Sequence, residues 1–494
     1  MWALLLLLAG SPAAPKTVPP SAATVSFTEY EAAMARGDRL AAADALWVVL
    51  EDPKASAQHG EAWVKLGSTL SELDFPYAAL LAWSKAAEQD ASKIGADLPK
   101  AADAAARVGD ERLLAAALKV VPADADASAR SAVALAVARF QFQEGNLAET
   151  LTALKLVDRE SPQFGRAELL RGVVLAQQGK PVDAIAPMVI AQALIEKSED
   201  PVRFRDSIQI NLGRIYFAAE NFPRAMEAYA GVSRGSPYWP EAQFERAWAH
   251  YRLNDMAGAL ALLYNHETPF LQDLYHPESE LLRTYALFTL CKFPAARESI
   301  EAFAADYGPL REEINATVPA LPPEAIFSDV AAASKGQPTA LPYRFLRSFA
   351  GEDRLLDAIR ASEAADAEAE RLSRVNNRFA TKAVEMLRAR KADRAKTEGT
   401  RIQAALERRR KDLGGFLDNV EITRLDMMQL EATLYERAAV TGDTGLGDKV
   451  GRLRKTKAQR NVRNWPFEGE IWADELGYYR YELRSDCPME LSTQ

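Results

Sequence analysis

The side chains best suited to catalysis or metal binding are few in this chain and far apart. Four histidines (His59, His250, His266 and His276) and two cysteines (Cys291 and Cys487) are spread over 494 residues. A zinc site announces itself by ligand pairs such as CxxC or HExxH, which put two donors on one turn or one helical face, and none of the six stands in such a spacing. No Walker loop, GxGxxG after a strand, GxSxG elbow or kinase signature is present. Paired acids such as Glu468 and Glu470 occur on any acidic surface and do not make a hydrolase. The sequence therefore predicts no catalytic residue, no metal and no cofactor, and a protein that is not an enzyme. Two stretches do carry recognisable chemistry. Between Lys449 and Arg463 stand Lys449, Arg452, Arg454, Lys455, Lys457, Arg460 and Arg463 with no acid among them. That run is either a solvated basic loop or a contact for an acidic partner, anionic lipid or cell-wall polymer. The segment that follows holds Trp465, Phe467, Trp472, Tyr478, Tyr479 and Tyr481, rings that need a surface, either the protein's own helices or a partner.

Composition narrows the class. Hydrophobic residues make up 48% and charged residues 26%, as in a folded globular chain, and a net charge of -9 argues against a nucleic-acid binder. Residues 1–20 read as a signal peptide: an apolar core from Trp2 to Ala9, then small residues that favour cleavage near Ala13, then prolines. The core is too short to span a bilayer, and no cysteine follows it to carry a lipid. It departs from the usual layout in having no Lys or Arg ahead of it. The expected location is the periplasm. In that oxidising compartment Cys291 and Cys487 either pair, stapling the tail to the repeats, or stay as two buried thiols.

The first three hundred residues repeat. Turns centred on Gly37, Asp74, Gly109, Gly145, Gly179, Glu220, Asn254 and Cys291 recur every 34 to 41 residues, the period of a helix-turn-helix solenoid. Two units are fullest, from Ala62 and from Ile210. Their Trp63, Leu66, Gly67, Ala79, Trp83 and Ala86, and Leu212, Gly213, Tyr216, Ala225, Tyr229 and Pro237, resemble the tetratricopeptide repeat (TPR) family. A mid-helix glycine costs about 1 kcal/mol against alanine, so Gly67 and Gly213 imply close helix packing, with Ala79 and Ala225 facing them and Trp83 and Tyr229 filling the gap to the next repeat.

The resemblance implies a TPR-type α-solenoid of about eight helix pairs over residues 25–305; with the heptads and rings beyond it, the chain reads as an all-α fold in which the solenoid is followed by a long helical coiled-coil hairpin and a short aromatic C-terminal segment. Residues 306–350 read as a Pro-rich linker and 351–440 as the hairpin. Its heptads run through Leu372, Phe379 and Met386, then Leu406, Leu413, Val420, Met427 and Leu434, with a break at Thr397–Thr400 and a kink at Gly414 and Gly415. An intermolecular coiled coil is the rival. Residues 441–463 form the basic loop and 464–494 the tail. This domain order and tail are similar to exported TPR proteins of the myxobacterial envelope, including adventurous gliding motility machinery.

In the TPR family the first helix of each pair lines a concave groove that holds peptides. Transferred to this chain, that stripe gives Arg139, Phe142, Arg214, Phe217, Phe244, Trp248, Tyr251, Tyr285 and Phe288, with Arg252 adjoining and Leu169 and Val173 between. Arg214 and Trp248 are the implied anchors, the guanidinium for a peptide carboxylate; alternatively the rings pack on the next repeat or on the chain's own tail. The expected function is a non-enzymatic scaffold that assembles an envelope complex from other proteins. The alternative is an envelope-remodelling factor that binds peptidoglycan or anionic lipid through the basic run and aromatic tail.

Overall fold

A computed structural model describes residues 27–114, 127–194, 201–271, 273–347, 349, 352–442, 452–455 and 471–487. The first three hundred residues are an α-solenoid of helix pairs: α1 (Thr28–Ala35) with α2 (Arg39–Glu51), α3 (His59–Glu72) with α4 (Pro76–Gln89), and α5 (Leu98–Val108) followed by a 3-10 turn at Glu111–Leu114. Then come α6 (Ala127–Gln143) with α7 (Leu147–Leu154), α8 (Phe164–Gln177) with α9 (Pro181–Ala193), α10 (Pro201–Ala218) with α11 (Phe222–Ala230), α12 (Trp239–Arg252) with α13 (Met256–Leu263), and α14 (Pro277–Thr289) with α15 (Phe293–Thr317).

One turn geometry closes these seven pairs and ends α5. All eight turn centres read from the sequence stand at positive φ, from Gly37 at 73° and Asp74 at 56° to Asn254 at 60° and Cys291 at 56°. In each, the N–H of the next residue bonds the carbonyl five positions back at 2.8–3.0 Å, as Asp110 does to Ala105 and Asn221 to Tyr216. This is the left-handed cap that satisfies two orphan carbonyls and reverses the chain. The glycines inside helices serve packing. A methyl on Gly67 would sit 2.5 Å from Trp83 Nε1, and one on Gly213 would sit 2.7 Å from Tyr229 Cζ and closer to the ring's near edge. The rings of Trp83 and Tyr229 thus lie directly over the glycines, not in a gap one repeat further on.

The proline-rich stretch is helical, which corrects the linker reading. The α15 helix continues through Pro309 to Thr317, α16 covers Pro323–Ser334, a further left-handed turn falls at Gly336, and α17 covers Tyr343–Arg347. Pro323 opens its helix, where the missing N–H had no partner to lose. The hairpin exists with different arms. Its first is α18 (Asp353–Ser373), and its second is α19 (Arg378–Thr441), 64 residues without a break at Thr397–Thr400 and continuing through Gly414 and Gly415. The reversal lies at Arg374–Asn377, where Asn377 Oδ1 accepts the N–H of Ala380 at 2.8 Å and caps α19. Leu372 and Phe379 therefore belong to different arms and meet beside the turn.

At 1.5 Å per residue α19 is about 96 Å long, and it is not a free extension. Its N-terminal part packs on α2 and α4 and its remainder on α14, α15 and α16, while α18 packs on α4 and α5. Two cores follow. One joins the first four pairs to Leu372, Phe379, Val384 and Leu387; the other joins α13–α16 to Ile402, Leu406, Leu413, Val420, Met427 and Leu434. The heptad residues thus serve the protein's own array. A two-stranded antiparallel ribbon of β1 (Arg452–Lys455) and β2 (Tyr479–Glu482) lies against α13. No helix among the described residues is long and apolar enough to cross a membrane.

Candidate interaction surface

Successive first helices touch one another, α6 to α8, α8 to α10, α10 to α12 and α12 to α14. Second helices instead meet the first helix of the next pair. The first helices therefore form a continuous inner wall, and the hairpin covers its two ends unequally. At one end Arg139 bonds buried Glu111 at 3.0 Å and Asp357 of α18 at 3.4 Å, and Arg354 donates to Gln143 O at 3.0 Å. At the other, Tyr285 lies beside Thr423 of α19, and Phe288 packs toward Phe293 at 6.4 Å. Neither arm makes contact of comparable extent with α8, α10 or α12.

On those uncovered helices the predicted stripe divides. Phe244 is buried, 7% exposed, with its ring against His266 and His276, so it belongs to the core and not to the wall. Leu169, Val173, Phe217, Trp248 and Tyr251 are half-buried, as is Phe142 on α6. Trp248 and Tyr251 meet edge to face at 5.6 Å, and Phe217 meets Phe222 the same way at 5.2 Å. The arginines are already engaged. Arg214 is held by Glu245 through two nitrogens, Nε at 2.8 Å, with Glu241 at 3.7 Å. Arg252 lies over the Phe222 ring at 4.8 Å and 3.7 Å from Glu220. Arg214 as a free carboxylate anchor is thus corrected: a guanidinium bound in a fork to its neighbour's carboxylate has spent its best geometry.

The hairpin is clamped to the array by charge. Asp110, fully buried, receives Arg390 at 2.9 Å and Arg394 at 2.7 Å from α19 and the Tyr77 hydroxyl at 2.8 Å. Glu398, also fully buried, ties the two arms together through Arg354 at 3.1 Å, is met within α19 by Arg401 at 2.9 Å, and reaches the array through Arg112 at 3.7 Å. These cations hold its carboxyl below the usual range despite burial. Glu368 of α18 accepts the first N–H groups of α4 from Tyr77 at 2.7 Å and Ala78 at 2.9 Å, and burial pushes its pKa up to about 7. Nothing in the composition distinguished these arginines from a solvated basic face.

The tail is bound to α12–α14. Cys291 and Cys487 form a disulfide, and Lys292 pairs with Asp486 at 2.6 Å. Asn265 accepts the N–H of Gly477 at 2.7 Å, Tyr479 meets Tyr264 at 4.9 Å, and Arg234 donates to Asp474 O at 2.9 Å. Tyr479 and Tyr481 thereby pack on the chain's own helices, whereas Trp472 and Tyr478 are exposed. Of the basic run, Arg452, Arg454 and Lys455 lie on β1; Lys449, Lys457, Arg460 and Arg463, like Trp465, Phe467 and the leader, lie outside the described residues. Among the described residues no group of three His, Cys, Asp or Glu is placed to hold a metal.

No family model matches the sequence, and no curated protein matches it. Among solved structures the chain is similar to the crystal structure of the APC/C hetero-tetramer Cut9-Hcn1, at 11% identity over 84% of this chain and 93% of that one. The TM-score is 0.21, and at that level the likeness carries no argument about mechanism or partner. The solenoid assignment stands on the helix pairs and their turns.

Proposed function

We propose that the protein is a non-catalytic scaffold that binds a polypeptide segment on the inner wall of α8, α10 and α12. The observation that carries this is the row of half-buried Phe217, Trp248 and Tyr251 on a stretch of wall that, among the described residues, the hairpin does not pack against to any comparable extent. Rings with partly exposed faces supply large apolar contact at little entropic cost. Because Arg214 and Arg252 are matched by the array's own acids, the partner contributes apolar side chains, as an amphipathic helix or an extended Leu- or Met-rich strand, and not a row of carboxylates. We place the protein in the periplasm as part of an envelope complex, of which gliding motility machinery is one example. The leader-like Met1–Pro20 supports this, as does the Cys291–Cys487 pair, since disulfides persist in oxidising compartments. The experiment is photo-crosslinking in cells with benzoylphenylalanine at Phe217 or Trp248, against Val182 on α9 as control. Adducts to a defined protein from the first two positions alone support the wall. Equal adducts from Val182, or binding that depends only on Lys449–Arg463, would favour the glycan or lipid reading.

A further inference from the structure

The long helix α19 carries a second apolar stripe that the array does not use. Leu425, Met428, Ala432, Tyr435 and Ala439 follow one another at alternating steps of three and four, the spacing of a coiled-coil seam, with Glu421 one step ahead of them. Leu425, Met428 and Tyr435 are 61%, 52% and 61% exposed, and Ile422 beside them is 55% exposed. The seam buried against α14–α16, through Leu413, Val420, Met427 and Leu434, lies roughly 110° away around the helix at 3.6 residues per turn. A helix apolar on two faces is one built to be packed on both, and a contiguous exposed stripe of this kind marks an interaction site.

We propose that two copies of the chain associate through this stripe, α19 against α19 and antiparallel, with Leu425 of each facing Met428 of the other. Charge selects the occupant and its direction. In this register Arg424 of each copy faces Glu431 of the other, twice by symmetry, and Asp418 faces the Tyr435 hydroxyl. Arg424 is held toward the stripe by Glu421 at 2.5 Å, and Glu431 is fixed by Arg297 through both its oxygens, at 3.0 and 3.2 Å, each oxygen keeping a second lone pair for another guanidinium. A parallel pair would instead set Glu431 beside Glu436 of the other copy on both sides, a like-charge cost. The contact spans 418–435, about 27 Å of helix, which buries on the order of 1,000 Å² and places the dimer in the weak, reversible class. Each array then presents its uncovered wall once, so the dimer is bivalent if the inner-wall reading holds; the pairing does not depend on that reading.

Sedimentation equilibrium of the full chain tests this. Wild type is expected to move from the 54.2 kDa monomer toward twice that mass as its concentration rises through the micromolar range. The Leu425→Glu, Met428→Glu variant should stay monomeric at every concentration, with unchanged helicity and melting. Under mild oxidation the Leu425→Cys, Met428→Cys double variant should crosslink into dimers while neither single variant does. These smaller changes keep the test valid if the acidic pair disturbs folding. A wild type that remains monomeric at 200 μM overturns the proposal. So does a dimer crosslinked by Met428→Cys alone, which marks a parallel pair.

Discussion

Gly399 sits about a third of the way along α19, and two effects of opposite sign meet there. In an isolated helix Gly→Ala gains about 1 kcal/mol, because alanine loses less backbone entropy and shields the helix better. In this protein a methyl on Gly399 would lie 3.0 Å from Pro323 Cα and closer still to its carbonyl carbon and oxygen. Pro323 is the first residue of α16, so the obstacle is helical backbone and not a side chain that can swing away. Overpacking of this kind costs about 1–3 kcal/mol by itself. The helix can escape only by lifting, which would pull Arg394 from Asp110 and Glu398 from Arg354, and a broken buried pair costs about 3–5 kcal/mol. Gly399→Ala should therefore lose about 2–4 kcal/mol net. The assay is urea unfolding followed by circular dichroism, with hydrogen exchange read on α19. Gly414→Ala and Gly415→Ala are the controls: nothing stands within 4 Å of either, so each should gain about 0.5–1 kcal/mol. If Gly399→Ala stabilises as much as they do, the helix does not cross α16 as described.

Three further outcomes follow from the same geometry. Glu220 holds a left-handed turn at φ 57° with an exposed side chain, so Glu220→Gly should stabilise by about 1 kcal/mol in the same unfolding assay. Burial, together with the neighbouring imidazole 5.0 Å away, depresses His266 to about 3, and burial beside Arg344 and Arg409 depresses His276 to about 4. The folded state thus binds fewer protons than the unfolded one below pH 6.5, and their contribution, full above that pH, is lost as pH falls toward 4, on the order of 2 kcal/mol for His266 by pH 5. Melting of His266→Gln measured from pH 8 to 5 should fall less steeply than wild type; parallel curves would refute this. Reduction, or the Cys291→Ser, Cys487→Ser pair, opens a loop of 196 residues and should cost about 2–5 kcal/mol, with hydrogen exchange rising first at residues 471–487.

How much of this was legible in the sequence differs by element. The eight turns were, because a left-handed cap leaves its mark as Gly, Asn or Asp at a fixed period, and even Glu220 and Cys291 were placed by that period. The cysteine pair was left open by the sequence and is bonded in the structure. The hairpin's docking was hidden: heptads at Leu406–Leu434 state that a face is apolar without saying which helix covers it, and Arg390 and Arg394 look the same on a solvated face as on Asp110. Prolines misled where they open helices, at Pro323 above all. On the wall, spacing alone could not separate buried Phe244 from half-buried Trp248, since both lie on one helix four residues apart.

The central claim is that the open wall of α8, α10 and α12 captures polypeptide. The measurement is hydrogen exchange on the full-length protein bound to peptides selected against it from a random display library, in wild type and in Phe217→Ala, Trp248→Ala, Tyr251→Ala. The account predicts protection on binding concentrated in 164–177, 201–218 and 239–252, and at least tenfold weaker binding by the variant at unchanged helicity. Protection confined to the tail or to α19, or a folded variant that binds as tightly as wild type, would contradict it.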